Sequence, residues 1–357
     1  MTPEMLKLNT ENLLLRDYPK NCTFTKEDWL VLSSSWYPVA LAGDVRQDQP
    51  LAVKLLDVKL VCYRSGDRVV VARDLCFHRG APLSKGWVEN GEIVCPYHGF
   101  RYNCEGKCTA VPAHPGAKIS PKLKLFTYPA VERYGLIWTC LSPEAEAEQP
   151  QIPEFPHWDD PDYLQVLPPS FDIAGSAGRQ MEGFLDVSHF AYVHTETFGD
   201  RNNTEVPQYA VTREDGGLHV EYWSTVSNYG KSQLHEAPEG FQWLREFRVF
   251  PPFAASLTVY FPADGRLCIL NCASPVSAKY TRLFSPICRN FDKDTPVQEI
   301  IDFNLKVFSE DREMVEAQTP EELPLDLLAE AHIPADRTSI AYRQLLTELG
   351  LGRNYTS

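Results

Sequence analysis

Apolar residues fall in short runs along the first part of the chain, at 60–63, 69–72, 93–95 and 136–139. Turn signals separate them: Ser65-Gly66-Asp67, Glu89-Asn90-Gly91 and Glu105-Gly106. Short runs bounded by such turns predict strands, and together a small all-β domain that begins at Trp36 and ends near Leu141. Residues 1–30 read as a polar leader with at most a short helix, and the Pro-rich, acidic stretch 142–161 as a linker. From Asp172 a helix-bearing segment gives way to strands at 208–212, 218–224, 255–261, 266–274 and 281–286. Hairpin signals stand at Asp215-Gly216-Gly217 and Ala263-Asp264-Gly265. A helical pattern follows over 296–318. Strands followed by helices predict an antiparallel sheet packed by helices, so the whole chain is α+β. The expected division is a leader at 1–30, a β domain at 31–148 and a larger domain at 149–357.

Composition narrows the classes. A length of 357 residues suits two domains, and a net charge of -14 argues against nucleic acid and against a polybasic membrane face. No apolar run reaches a membrane-spanning length, and the N-terminal residues lack a signal-peptide core. The expected location is the cytoplasm, where disulfides are rare, so the ten cysteines read as thiols or metal ligands.

Two of those cysteines carry the sharpest chemistry. Cys76-Phe-His78 is followed, after sixteen residues, by Cys95-Pro-Tyr-His98. Each half offers one thiolate and one imidazole, so two loops could hold one [2Fe–2S] cluster, cysteines on one iron and histidines on the other. A zinc site built from Cys95, His98, Cys104 and Cys108 is the alternative, although it leaves Cys76 and His78 unexplained. Cys22, Cys62, Cys140, Cys268, Cys272 and Cys288 read as small buried hydrophobes.

A second cluster lies at 181–194, MEGFLDVSHFAYVH. His189 and His194 sit among apolar neighbours and need partners there, whether hydrogen bonds or a metal ion. On one regular helix, positions five apart diverge by about 140°, so a shared ligand role requires the helix to end or bulge between them. A third ligand must come from elsewhere. In the helix at 296–318, Ile300, Val307, Met314 and Val315 form an apolar stripe, widened by Ile301 and Phe308. Glu299, Asp302, Glu310, Glu313 and Glu316 fall outside it, whereas Asp311 falls inside. Such an acid must be protonated, paired with a cation or bound to metal. His114, His157, His219, His235 and His332 stand alone and read as surface or structural residues.

The text CFHRGAPLSKG…CPYHGFRYNCEGKC resembles the Rieske non-haem iron oxygenases, as does Asp186-x2-His189-x4-His194. The resemblance covers most of the chain from Trp36 onward, with Phe100 where Trp is common. It implies a Rieske [2Fe–2S] cluster on Cys76, His78, Cys95 and His98, in an all-β domain. It implies a mononuclear Fe(2+) on His189, His194 and Asp311, in a helix-grip-like catalytic domain. Asp186 would bridge His98 of one subunit to His189 of its neighbour within a homotrimer. Gly183 replaces an Asn common among relatives, which removes a hydrogen bond and opens the pocket.

The implied activity is that of a terminal oxygenase using O2. No G-x-G-x-x-G and no second cysteine cluster of ferredoxin spacing is present, so electrons would come from a separate NAD(P)H-dependent reductase, a ferredoxin, or both. Between Arg73 and Lys118 six basic residues meet four acidic ones, which suits an acidic donor. Further stretches, among them Phe155 to Tyr163 and Arg133-Tyr-Gly-Leu-Ile-Trp, look like saxitoxin-pathway alkaloid hydroxylases and caffeine N-demethylases. The substrate implied is a small nitrogen-containing molecule, hydroxylated or oxidatively N- or O-demethylated. Two alternatives remain: aromatic-ring dihydroxylation, and a Rieske electron carrier fused to a small-molecule-binding domain.

Overall fold

The computed structural model describes residues 18–142, 150–230 and 236–352. Most of the expected leader, part of the linker and His235 lie outside them. The chain divides into two compact units, one taking in residues 29–152 and the other 153–357 with 23–28.

The first unit holds three antiparallel sheets. One is β1 (Trp36–Leu41), β11 (Leu136–Cys140) and β10 (Ala130–Arg133), in that order. The second is β2 (Leu51–Leu55), β3 (Val58–Ser65), β4 (Arg68–Arg73) and β9 (Thr127–Tyr128). The third is β5 (Trp87–Glu89), β6 (Glu92–Val94), β7 (Arg101–Tyr102) and β8 (Cys108–Ala110). Val61, Tyr63, Leu83, Ile93 and Tyr102 form a core that also takes in Cys76 and Cys95, so both thiols are rooted in packed side chains. A short helix, α1 (Lys26–Ser33), begins at the end of the expected leader, and Trp29, fully buried, donates its indole N–H to the Leu56 carbonyl at 2.9 Å.

The second unit is one antiparallel sheet of nine strands. Its strands are β12 (Leu164–Val166), β13 (Phe171–Ile173), β14 (Ala210–Glu214), β15 (Gly217–Ser224) and β16 (Trp243–Phe250). They continue as β17 (Ala254–Tyr260), β18 (Arg266–Ser277), β19 (Tyr280–Phe284) and β20 (Ile287–Arg289). The main path runs β12-β20-β18-β17-β16-β15-β14, with β19 joining β18 to β13. The turn at Asp215-Gly216 has both residues at positive φ, 47° and 78°, which suits a tight hairpin between β14 and β15. The sequence pattern missed β16, a central strand. Its alternation is sound, but Arg245 occupies an inward position where an apolar residue is expected.

Among the described residues four α-helices belong to this unit: α2 (Ala177–Leu185), α3 (Phe190–Val193), α4 (Val297–Ala317) and α5 (Arg337–Glu348). The long α4 begins after Pro296 and ends before Gln318, and buries Ile300, Asn304, Phe308 and Val315. Met314 is exposed, so the apolar stripe is narrower than the sequence suggested. A buried ion pair ties α2 to α5, Arg343 meeting Glu182 at 2.6 and 2.9 Å, and Glu330, in the segment before α5, meets Arg179 of α2 at 2.7 Å. No helix among the described residues is long and apolar enough to cross a membrane.

Candidate metal centres and substrate cavity

In the first unit, two loops repeat one backbone pattern. Cys76 N–H donates to the Ala81 carbonyl and Gly80 N–H returns to Cys76, both at 2.8 Å. Cys95 N–H donates to Phe100 at 2.8 Å and Gly99 N–H returns to Cys95 at 3.0 Å. Gly80 and Gly99 close these turns at φ 72° and 69°, where a side chain is strained. Each loop therefore presents one buried cysteine and one histidine at its tip. His78 Nδ1 and His98 Nδ1 converge to 3.2 Å, and the His78 ring stacks on Phe100. The Tyr102 hydroxyl stands 3.2 Å from Cys76 Sγ. Burial and then the neighbouring thiol push the phenol pKa up, so the Tyr102 hydroxyl stays protonated beside that sulfur.

In the second unit, α2 ends before the histidines begin. Ser176 caps its start, accepting from Arg179 N–H at 3.2 Å, and Asp186 caps its end. Asp186 Oδ1 accepts from Ser188 N–H and Oγ–H at 2.8 and 2.7 Å, which turns the chain. His189 and His194 flank the single helical turn α3, so the rings are no longer bound to regular helical spacing. Gly199 folds the next loop back: its N–H donates to the His194 carbonyl at 2.6 Å. A Cβ at this glycine would stand 2.3 Å from the Phe190 carbonyl oxygen.

Asp311 on α4 completes the group. His189 Nε2 and His194 Nε2 are 3.1 Å apart, and Asp311 Oδ1 lies 3.3 and 3.2 Å from them. Metal bonds of about 2.1 Å at right angles place ligand atoms about 3.0 Å apart, so this triangle fits one face of an octahedral ion. Among the described residues this is the one group of three or more such side chains whose ligand atoms lie within 4.8 Å of one another. The alternative zinc set of Cys95, His98, Cys104 and Cys108 therefore does not close on one ion.

Both imidazoles are held from behind. His189 Nδ1 faces Asp186 Oδ2 at 3.2 Å, and His194 Nδ1 faces Glu310 Oε2 at 3.0 Å. Burial alone would lower the His189 pKa, but Asp186 and then Asp311 raise it to about 9. Burial pushes Asp311 up, and its bonds to His189 and His194 outweigh that, holding it below the usual carboxylate range. Asp186 is depressed likewise, mainly by His189 acting against burial.

Glu310 is the residue that sequence reasoning set aside. It lies outside the apolar stripe, yet its side chain is only 9% exposed. Its carboxylate also accepts from Thr197 Oγ1–H at 2.6 Å and from Glu196 N–H at 3.0 Å. The loop that buries it is more than a hundred residues upstream.

A mostly apolar cavity opens onto the three converging side chains. Phe184, Phe190, Phe247 and Phe308 form much of its wall, with Asn228, Asn304 and Arg245 as polar points. Gly183 also lines it, and a Cβ there would meet only Val315 Cγ2, at 3.6 Å. Elsewhere, His219 faces Glu246 at 3.0 Å and the His157 ring stacks on Tyr163, both structural contacts.

Residues 35–129 match the family model of the Rieske [2Fe-2S] domain, and residues 174–351 match that of the vanillate O-demethylase oxygenase C-terminal domain. The chain is 35% identical over 320 residues to methylxanthine N1-demethylase NdmA of Pseudomonas putida, covering 88% of each. It is 31% identical over 335 residues to methylxanthine N3-demethylase NdmB of the same organism, covering 91% of each. The solved structure of Pseudomonas putida CBB5 NdmA with caffeine superposes with a TM-score of 0.79 at 33% identity, over 90% of this chain and 92% of that one.

Proposed function

Since the chain belongs to the Rieske non-haem iron oxygenases, we propose that it hydroxylates, or oxidatively N- or O-demethylates, a small nitrogen-containing molecule as the terminal component of a multicomponent system. The observation that carries this reading is the triangle of His189, His194 and Asp311 at the floor of the cavity. In this reading those three residues hold the mononuclear iron. Cys76 and Cys95 hold one iron of the cluster, and His78 and His98 the other. When bound, the two cofactors supply electron relay and dioxygen activation.

The protein's own residues do the rest. Asp186 and Glu310 accept from the outer ring nitrogens of His189 and His194, which fixes the tautomers and aims both Nε2 atoms at one point. Phenylalanine walls exclude water and grip a flat molecule, while the few polar groups set its orientation. The methylxanthine N-demethylases favour loss of a methyl group over ring dihydroxylation. A separate NAD(P)H-dependent reductase, with or without a ferredoxin, supplies electrons, and the chain works in the cytoplasm. It assembles as a homotrimer in which Asp186 links one subunit's iron site to the cluster of its neighbour.

The test combines oxygen uptake with metal content. With a reductase and NADH, a panel of methylated purines, guanidines and aromatic acids should yield substrate-dependent oxygen uptake, with formaldehyde where a methyl group is lost. Iron should reach about three per chain, against about two for a Rieske carrier lacking the second site. Two irons and no stimulated uptake by any class would overturn the reading.

A further inference from the structure

Arg245 hid β16 from the sequence pattern, and its surroundings give it a role. The side chain is 1% exposed and borders the cavity. Nη1 donates to Ser224 Oγ at 3.1 Å, and Nη2 donates to the Val226 carbonyl at 2.8 Å and to Asn228 Oδ1. Its carbon Cζ lies 5.2 Å from the Phe190 ring centre and 5.8 Å from that of Tyr222. Every one of these partners is neutral. Among the described residues no carboxylate pairs with Arg245, whereas the buried Arg343 has Glu182 and Glu330, and Arg179 has Glu330. The acid that shares the cavity, Asp311, is engaged by His189 and His194. Burial lowers the Arg245 pKa to about 10, which still leaves a full positive charge at neutral pH.

A buried charge without a counter-ion is costly, and an anion entering the cavity would remove that cost. Phe190 neighbours both this cation and the iron-site histidines, its ring 4.9 Å from that of His189 and 6.0 Å from that of His194. We propose that Arg245, with Asn228 beside it, binds an anionic oxygen of the substrate and so turns the carbon to be oxidised toward His189, His194 and Asp311, which line the same cavity. The substrate class is then a flat molecule bearing an ionised oxygen, either a carboxylate or the enolate-like oxygen of an acidic heterocycle. This inference rests on the oxygenase reading above and adds the charge of the substrate to it.

The test uses the iron-loaded holoenzyme without oxygen and two matched pairs of probes, titrated by calorimetry. One pair is 3-methoxybenzoate and 3-methoxybenzamide; the other is an ionised methyluric acid and neutral caffeine. At least one anionic member should bind about 10- to 100-fold tighter than its neutral match, the worth of a hydrogen bond to a charged group. The pair that discriminates identifies the source of the anion. Arg245→Met should erase the advantage. Asn228→Asp, which supplies a carboxylate to Arg245 from within, should erase it as well while keeping the arginine, and so serves if Arg245→Met does not fold. Equal binding within both pairs, no binding by either anion, or an advantage that survives in Asn228→Asp overturns the inference. Iron content and reductase-driven oxygen uptake on the same preparations report the oxygenase reading separately.

Discussion

Removing the Glu310 carboxylate should weaken iron binding without disturbing the Rieske domain. Glu310→Ala takes away the acceptor of His194 Nδ1, and with it the acceptors of the Thr197 hydroxyl and the Glu196 amide. His194 is 2% exposed, so water does not readily replace the lost oxygen. Groups that orient a ligand imidazole are worth about 10- to 100-fold in metal affinity, or roughly 1.4–2.7 kcal/mol. Glu310 holds both the ring and the loop after it, which puts the expected loss toward the upper figure. The assay is competition for Fe(2+) at the mononuclear site against a chelator of known affinity, with the visible absorption of the cluster as internal control. Glu313→Ala, an exposed acid on the same helix, should leave the affinity unchanged. A Glu310→Ala protein that binds iron within twofold of the parent refutes the assignment of Glu310 as the anchor of His194.

His189→Ala or Asp311→Ala should bring iron from about three to about two per chain and leave the cluster spectrum intact, as metal analysis can check. A mixed trimer of Cys76→Ala and Asp311→Ala chains should regain oxygenase activity that neither parent has, and a fully inactive mixture speaks against electron transfer between subunits. The raised pKa of His189 makes protonation favour the folded iron-free protein. That stabilisation is complete below the unfolded value of about 6.5 and is lost as pH rises through about 9, so urea midpoints of the iron-free form should fall across that window. Iron must displace the same proton, so Fe(2+) affinity should rise over the same range. Glu182→Ala removes the bidentate partner of the buried Arg343 and leaves it only the part-exposed Glu330, and should cost about 3 kcal/mol in chemical denaturation; a loss below about 1 kcal/mol would mean Glu330 suffices alone.

Local sequence was enough wherever the chemistry is local. Cys76, His78, Cys95 and His98 sit on two tight turns whose glycines and spacing fix the geometry within a few residues. Asp311 was legible because an acid inside an apolar helical stripe needs a partner, and the period of a helix is a property of neighbouring residues. The antiparallel strands and the hairpin at Asp215-Gly216 were legible for the same reason, since alternation and turn chemistry are short-range.

Tertiary structure decided what depends on distant chain. Glu310 looks like a surface acid until the loop at 195–199 covers it. Arg245 looks like a break in a strand until β15 and β17 pair on either side and turn it toward the cavity. The five-residue spacing of His189 and His194 became usable only because Asp186 ends α2 and a single helical turn separates the rings. Burial and charge compensation are set by what packs on a residue from elsewhere in the chain. A sequence can therefore mark the atoms that would hold iron, while the fold chooses the carboxylates that aim them and the cation that faces the substrate.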